Sequence, residues 1–183
     1  MTDSAAIILE TPRLIMRRLN MDDLDALAAL YADKEIRQYF PDGSDGTLSY
    51  GETREELAWI IDVYYGQYGY GLWATIHKET GAFIGRCGLI PWKLDDQPDV
   101  VQVEVAYLLD KAYWRQGLGT EAARAIRDYA FEQLGLERII CMVDPKNAAS
   151  QKVAANTGFV FEKEHTDKYG LCYLYALSKP GGA

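Results

Sequence analysis

The residues with the clearest chemical potential are Trp114-Arg115-Gln116-Gly117-Leu118-Gly119-Thr120-Glu121-Ala122, because an apolar, strand-like segment enters this run and a strongly amphipathic helical pattern leaves it. A glycine-rich strand-to-helix turn can grip phosphate. Its first N–H groups lack intrahelical partners and sit at the positive end of the helix dipole, and glycine lets that backbone approach a pyrophosphate closely. The neighbouring residues narrow the ligand. A nucleoside-triphosphate loop requires a lysine and then Ser or Thr straight after its glycines, where this chain has Leu118-Gly119-Thr120-Glu121. A dinucleotide fingerprint requires a third glycine where Ala122 stands, an early place in a βαβ unit, and an acidic residue about 20 positions on. Here the turn lies in the second half of the chain and Glu137 precedes the next strand instead of ending it, so that reading fits poorly.

The elements on either side position the turn. Upstream, Val101-Gln102-Val103-Glu104-Val105-Ala106-Tyr107 alternates, which puts Val101, Val103, Val105 and Tyr107 on one face of a strand and Gln102, Glu104 and Ala106 on the other. A glutamate in mid-strand is thereby held out of free solvent. Downstream, Leu118, Ala122, Ala125, Ile126, Tyr129 and Ala130 keep helical register to about Leu134-Gly135. Ile139 to Val143 predicts a strand that Asp144-Pro145 stops, and Asn147 caps a short helix that runs to about Asn156 and closes at Gly158. Phe159 to Glu162 and Leu171 to Ser178 supply two last strands, with His165 in the loop between them.

In the first half, Arg13 to Arg18 reads as a strand and Asn20 as the cap of a helix carrying Leu24, Leu27, Ala28 and Tyr31. Tyr39 to Gly51 contains Pro41, Gly43, Ser44, Asp45, Gly46, Ser49 and Gly51 and predicts a long loop of the kind that often binds. A second helix follows from about Thr53 to Gly66, with Leu57, Ile60, Ile61 and Tyr64 on one face and Trp59 expected in the core. Leu72 to His77 and Ala82 to Ile90 form an antiparallel hairpin across Lys78-Glu79-Thr80-Gly81. Trp92 to Asp99 then forms a polar connection whose Asp95, Asp96 and Asp99 read as a solvated loop. The order β-α-α-β-β-β-α-β-α-β-β implies a mixed sheet with helices on both faces.

Composition bounds the function classes. With 183 residues, 49% hydrophobic and 25% charged, the chain has the content of one domain, 1–183, with a structured core of about 12–179 and a frayed Pro180-Gly181-Gly182-Ala183 tail. No apolar run has the roughly 20 residues of a membrane span, and the N-terminus lacks a signal pattern, so a cytoplasmic protein away from membranes is expected. A net charge of −8 and a pI of 4.8 argue against a nucleic-acid surface and favour a small or cationic partner. Cys87, Cys141 and Cys172 sit in apolar strand-like segments and read as reduced, buried structural thiols. His77 and His165 lack metal-ligand spacing, so no metal is expected.

Val103-Glu104-Val105-Ala106-Tyr107-Leu108-Leu109 followed by Tyr113 to Ala122 resembles the acetyl-CoA core of the Gcn5-related N-acetyltransferases (GNAT). The spacing fits that family's Tyr-Trp-(Gly/Arg)-(Lys/Gln)-Gly-(Tyr/Leu)-(Ala/Gly)-Thr-Glu-Ala form better than its strict Arg/Gln-x-x-Gly-x-Gly/Ala form. This variant is typical of the branch resembling ribosomal-protein alanine N-acetyltransferases. Asp144-Pro145-Lys146-Asn147-Ala148-Ala149-Ser150 and Asn156-Thr157-Gly158-Phe159 resemble the same branch's later helix and its closing Gly-Phe, and Thr11-Pro12-Arg13-Leu14 resembles its opening. The likeness spans nearly the whole chain. It implies an α+β (α/β sandwich) fold, with a mostly antiparallel central sheet of about seven strands and helices on both faces.

The resemblance also implies an activity, transfer of acetyl from acetyl-CoA to a primary amine, either a small amine or a protein N-terminus, by direct attack in a ternary complex. A non-catalytic acyl-CoA-binding module of the same fold is the alternative. On the family pattern the pyrophosphate lies on the N–H groups of Gln116, Gly117, Leu118, Gly119 and Thr120, with Arg115 adding charge. Pantetheine pairs with the strand edge of Tyr107, Leu108 and Leu109, where a main-chain N–H near Leu108 or Leu109 polarises the thioester. Glu104 matches the family's base and Ser150 the residue proposed to protonate the departing thiolate, with Tyr169, Tyr173 and Tyr175 as competing acids. Asn147 serves as helix cap and pantetheine partner, while Lys152 and Lys146 are candidates for the 3′-phosphate. The Tyr39 to Gly51 loop, with Tyr39, Phe40 and Tyr50, is expected to grip the acceptor together with the Trp92 to Asp99 connection and the final hairpin. Family members commonly form homodimers.

Overall fold

The computed structural model describes residues 6–40, 46–97 and 99–181. Pro41, Gly43, Ser44 and Asp45 of the expected binding loop, and the Gly182-Ala183 end of the expected tail, lie outside the described residues. The chain folds into a sheet of eight strands in the order β1-β2-β3-β4-β5-β6-β8-β7. The strands are β1 Ile7–Glu10, β2 Leu14–Arg18, β3 Leu72–His77, β4 Phe83–Lys93, β5 Val101–Leu109, β6 Arg138–Val143, β7 Val160–Asp167 and β8 Gly170–Ser178. Every neighbouring pair is antiparallel except β5 and β6.

The eighth strand is the one the sequence reading leaves out. Ile7–Glu10 folds back on β2, with Leu9 opposite Met16 and Glu10 opposite Ile15. The turn between them is closed by Thr11, whose N–H donates to the Leu14 carbonyl and whose Oγ1 accepts from the Leu14 N–H, each at 2.9 Å. A strand of four residues carries little periodicity, and its pairing with β2 supplies what its pattern does not.

Helices cover both faces. On one side lie α1 (Leu24–Tyr31), α2 (Lys34–Arg37) and α3 (Tyr50–Trp59), and on the other α4 (Leu118–Glu132) and α5 (Ala148–Thr157). The alternation of β5 sorts its residues accordingly: Val103, Val105 and Leu109 pack with Ile126, Ala122 and Ala130 of α4, whereas Leu108 packs with Tyr31 of α1 and Leu57 of α3. Asn20 caps a short 3-10 turn, Met21–Asp23, ahead of α1. The second helix starts earlier than its apolar pattern suggests, because Ser49 and Glu52 form a reciprocal capping box at its N-terminus. It also runs past Gly66 as a π-helical segment, Ile60–Tyr68, and ends at Gly69, whose φ of 75° needs no side chain. Tyr50 and Gly51 therefore belong to a helix, not to the preceding loop. Likewise Trp92 and Lys93 extend β4, and His165 lies buried inside β7 instead of in a loop. No helix among the described residues is long and apolar enough to cross a membrane.

Close backbone approach constrains two glycines of β4, Gly85 against the Leu108 carbonyl and Gly88 against that of Gly71. A Cβ on Gly88 of β4 would sit 2.1 Å from the carbonyl oxygen of Gly71, which accepts the Leu89 N–H at 2.9 Å. Gly88→Ala is expected to lose at least about 1–3 kcal/mol, lowering Tm by about 2–4 °C per kcal/mol, whereas Gly66→Ala, with open space at its Cβ, should be neutral or slightly stabilising. Thermal unfolding of the two variants side by side checks this; equal melting temperatures would show that the β3–β4 contact gives way freely.

Candidate active site

The parallel strands β5 and β6 share a single register pair, Glu104 opposite Ile140, and then separate. Glu104 stands at that fork, only 8% exposed. Its Oε2 accepts from the Trp92 indole N–H at 2.6 Å and its Oε1 from the backbone N–H of Met142 at 3.2 Å. Burial pushes its carboxyl up to about 7, although the Trp92 and Met142 hydrogen bonds and the charge of Arg86 all favour the ionised form. A carboxyl poised near neutrality, held by two donors, suits transfer of a proton at physiological pH. Because Met142 spends its N–H on this side chain, the strands do not re-zip beyond the fork. Val105 to Leu109 remain paired to β4 alone.

Across the fork, two hydroxyls meet. Tyr107 projects from the other face of β5 and its phenol oxygen lies 2.7 Å from Ser150 Oγ, and 3.2 Å from the Ser150 carbonyl. Asn147 caps α5 by accepting the Ser150 N–H at 3.0 Å, which fixes where that serine sits. Burial raises the Tyr107 pKa strongly, so the pair holds its protons. The sequence reading treats Tyr107 as part of a strand edge and Ser150 as a separate acid; the structure brings them together as one unit. Of the competing tyrosines, Tyr169 lines the cavity beside Trp92, whereas Tyr173 and Tyr175 pack edge-on against Phe161.

The glycine turn is built from left-handed backbone. Arg115 has φ 60° and Gly117, which precedes the first residue of α4, has φ 78°. Among the described residues Arg115 is the one non-glycine with positive φ, the sort of local strain that persists where surroundings enforce it. The surroundings here are explicit: the Trp114 indole donates to the Leu109 carbonyl at 2.8 Å, and the Gln116 amide donates to the Ala112 carbonyl at 3.0 Å. Arg13 Nη1 holds the Gln116 carbonyl at 2.9 Å while Arg13 Nε binds Glu121 Oε2 at 2.7 Å. Glu121 Oε1 further accepts from the Arg13 N–H at 2.9 Å and from the Thr11 hydroxyl at 2.7 Å. Burial alone would raise the Glu121 pKa, but these donors outweigh it and hold the carboxyl below its ordinary range. The Glu121 N–H is bonded to the Gly117 carbonyl at 3.0 Å, so the N–H groups of Leu118, Gly119 and Thr120 head the helix at its positive end, the kind of arrangement that can receive phosphate. Arg115, Lys146 and Lys152 are all exposed, Lys152 on α5.

A cavity of about 520 Å³ runs through the fork, and Glu104, Tyr107, Asn147 and Ser150 all line it. Its other wall is aromatic and charged: Phe40, Trp59, Tyr64 and Trp92 contribute, with Arg86 of β4 and Glu56 of α3. Two expectations are corrected here. Trp59 is not a core residue but 49% exposed at the cavity, and Cys172 is only partly buried and lines it too, whereas Cys87 and Cys141 are buried as expected. Arg13 and Arg86 are the contributors that sequence reasoning misses as site residues, while Trp92, expected at the acceptor, lines the cavity and also holds Glu104. Each arginine acts on a partner distant in the chain, and only the early Thr11-Pro12-Arg13-Leu14 resemblance signals either of them.

Comparison with known proteins agrees with this geometry. The acetyltransferase (GNAT) domain family matches residues 13–160. The uncharacterized N-acetyltransferase p20 of Bacillus licheniformis is 31% identical over 172 residues, covering 93% of this chain and 88% of that protein. Among solved structures, the ribosomal-protein-S5-alanine acetyltransferase of Vibrio fischeri superposes with a TM-score of 0.75 at 19% identity, covering 94% of this chain and 97% of that one. RimL, a ribosomal L7/L12 alpha-N-protein acetyltransferase in complex with coenzyme A, gives 0.77 at 20% identity, covering 94% and 98%. These two show the likeness of fold, while the family match and p20 carry the kinship: the chain belongs to the GNAT acetyltransferase family and is an N-acetyltransferase.

Proposed function

We propose that this enzyme moves the acetyl group of acetyl-CoA to a primary amine, a small molecule or a protein N-terminus, by direct attack within a ternary complex. The observation that carries the reading is the buried Glu104 carboxyl at the fork, lining the same cavity as an unpaired strand edge and a hydroxyl pair. The pyrophosphate takes the N–H groups from Gln116 to Thr120, and the exposed Arg115, Lys146 and Lys152 are the candidates to add positive charge. The pantetheine arm then extends along Tyr107 to Leu109 as an added strand, with Asn147 as a side-chain partner.

Glu104 receives the proton of the incoming ammonium, directly or through water, and the freed nitrogen attacks the thioester carbonyl carbon. A main-chain N–H at Leu108 or Leu109 stabilises the oxyanion, an effect worth about 3 kcal/mol for one well-placed donor. As the C–S bond breaks, the thiolate takes a proton from the Tyr107–Ser150 pair, which regains one from solvent at once, while the amide nitrogen sheds its second proton and Glu104 returns the first to solvent. RimL, which shares the fold, carries the name of an alpha-N-protein acetyltransferase, and that supports an amine at a chain terminus as one acceptor class.

Glu104→Gln is expected to lower turnover by ~10²-fold or more at neutral pH while leaving acetyl-CoA affinity within about twofold. Release of free CoA over a panel of amines and peptides, alongside titration calorimetry with acetyl-CoA, measures both. Unchanged turnover removes Glu104 from the mechanism, and tight binding by the unaltered protein with no turnover on any acceptor points to the non-catalytic module. The pH profile has a defined sign. The base must be ionised and its carboxyl loses its proton as pH rises through about 7, so kcat/KM climbs about tenfold per unit below that point and levels above it. In Glu104→Gln the inflection should vanish. Arg13→Ala frees the Gln116 carbonyl and leaves Glu121 uncompensated, so the acetyl-CoA Kd should rise about 10-fold with kcat little altered.

A further inference from the structure

Arg86 is a buried charge that lines the cavity and that the proposed transfer does not use. It sits on β4 opposite Leu108, with its side chain on the α1–α3 face of the sheet, and is 4% exposed while lining the cavity. A guanidinium has five N–H donors. Here Nε donates to the Tyr31 hydroxyl at 2.5 Å, and the buried Nη1 has no hydrogen-bond partner. The rings of Tyr31 and Phe40 lie 5.5 Å from the guanidinium carbon, satisfying its faces but not its edge. Glu56 does not meet it: that carboxylate accepts from the Tyr31 hydroxyl at 2.9 Å, one group removed. The Glu56 charge steadies the guanidinium from one group away, and an anion in direct contact would offset the remaining cost of its burial.

The placement of Arg86 relative to Glu104 says what that anion belongs to. Leu108, Ala106 and Glu104 share one face of β5, and Arg86 stands across from the first of them. At about 3.3 Å per residue the backbones of the two sites are roughly 13 Å apart, and the long arginine side chain shortens the gap between their charged ends. The cavity is therefore lined by a carboxyl that handles an amine and, some way along the sheet, by an arginine whose unpartnered Nη1 is buried in its wall, with aromatic side chains such as Trp59 and Tyr64 in the same lining.

We infer that the acceptor is an amino-carboxylate, whose amine faces Glu104 and whose carboxylate is received by Arg86 against the Tyr31 and Phe40 rings. This rests on the acetyl-transfer reading above. Free ω-amino acids and peptide N-termini with an acidic second residue both carry the required pair of groups.

Matched acceptors test it. β-Alanine, γ-aminobutyrate, ε-aminocaproate and 4-(aminomethyl)benzoate are compared with their primary amides, and short peptides with Glu in second place with the same peptides carrying Gln. In the unaltered enzyme the carboxylates should be favoured in kcat/KM by about 10- to 100-fold, the range for one charge-assisted bond to a buried cation. The arm showing the larger preference names the source. In Arg86→Met the preference should fall to within about twofold, and in Arg86→Lys a reduced preference should persist; if either fails to fold, the panel with the unaltered enzyme decides alone. Amides turned over as well as the carboxylates overturn the proposal. A separate readout isolates binding: 4-methylbenzoate, which has no amine, should raise Tm in the presence of CoA while 4-methylbenzamide does not. If 4-methylbenzoate binds in this way but no amine on the panel is acetylated, the anion site stands and the transfer reading falls. If neither binding nor preference is seen, the anion site is overturned.

Discussion

One junction governs the site, the single pairing of Glu104 with Ile140 where the only parallel neighbours among the described strands meet. A parallel ladder left to itself would continue, because each buried N–H and C=O requires a partner. Here the next donor on β6, the Met142 N–H, is satisfied by a side chain instead, the Glu104 carboxylate. That substitution keeps the strands apart without orphaning the donor, and it opens the sheet so that one cavity is reached from both faces. The same burial that makes the carboxylate a structural wedge also brings its proton affinity to neutrality. Structure and chemistry thus draw on one desolvated group.

The glycine turn solves a second electrostatic problem. Glu121 lies in the first turn of α4, where its negative charge would take up the positive potential that an incoming phosphate needs. The β1–β2 turn intervenes: Thr11 and Arg13 occupy both carboxylate oxygens, and Arg13 also restrains the Gln116 carbonyl. The carboxylate is neutralised in place and the turn acquires a brace from a segment more than a hundred residues earlier. Thus the short first strand, which contributes little core of its own, positions the brace by closing the Thr11–Leu14 turn.

Local patterns in the sequence carry much of this. The alternation from Val101 to Tyr107, the Asn147 cap, the hairpin at Lys78 to Gly81 and the helix beginning at Leu118 follow from periodicity and capping chemistry, and each is present. What escapes is of two kinds. Ile7–Glu10 is too short for a period, and the π-helical stretch from Ile60 keeps enough helical spacing that Gly66 looks like its end. The other kind is pairing at a distance: Trp92 with Glu104, Tyr107 with Ser150 and Tyr31 with Arg86 are decided by strand register and helix docking. Trp59 illustrates the same limit, since a tryptophan on a helix reads as core until the cavity beside it is known.

That division explains why the proposed donor half of the reaction is readable and the acceptor half is not. The donor half is made of main chain, the N–H groups ahead of α4 and an open strand edge, and main chain becomes a binding surface only where residues permit unusual geometry. Such permission leaves marks at fixed spacing, as at Arg115 and Gly117 with their positive φ. The proposed acceptor half draws on side chains of Tyr31, Phe40, Glu56, Arg86 and Glu104, contributed by α1, the segment after α2, α3, β4 and β5. Nothing in the local conformation of any one of them requires the others, so no spacing records their meeting. An arginine in a β-strand reads as a solvated or cross-strand charge. It becomes informative only when the fold has removed water from it, set aromatic rings beside it, and left a guanidinium N–H without a partner.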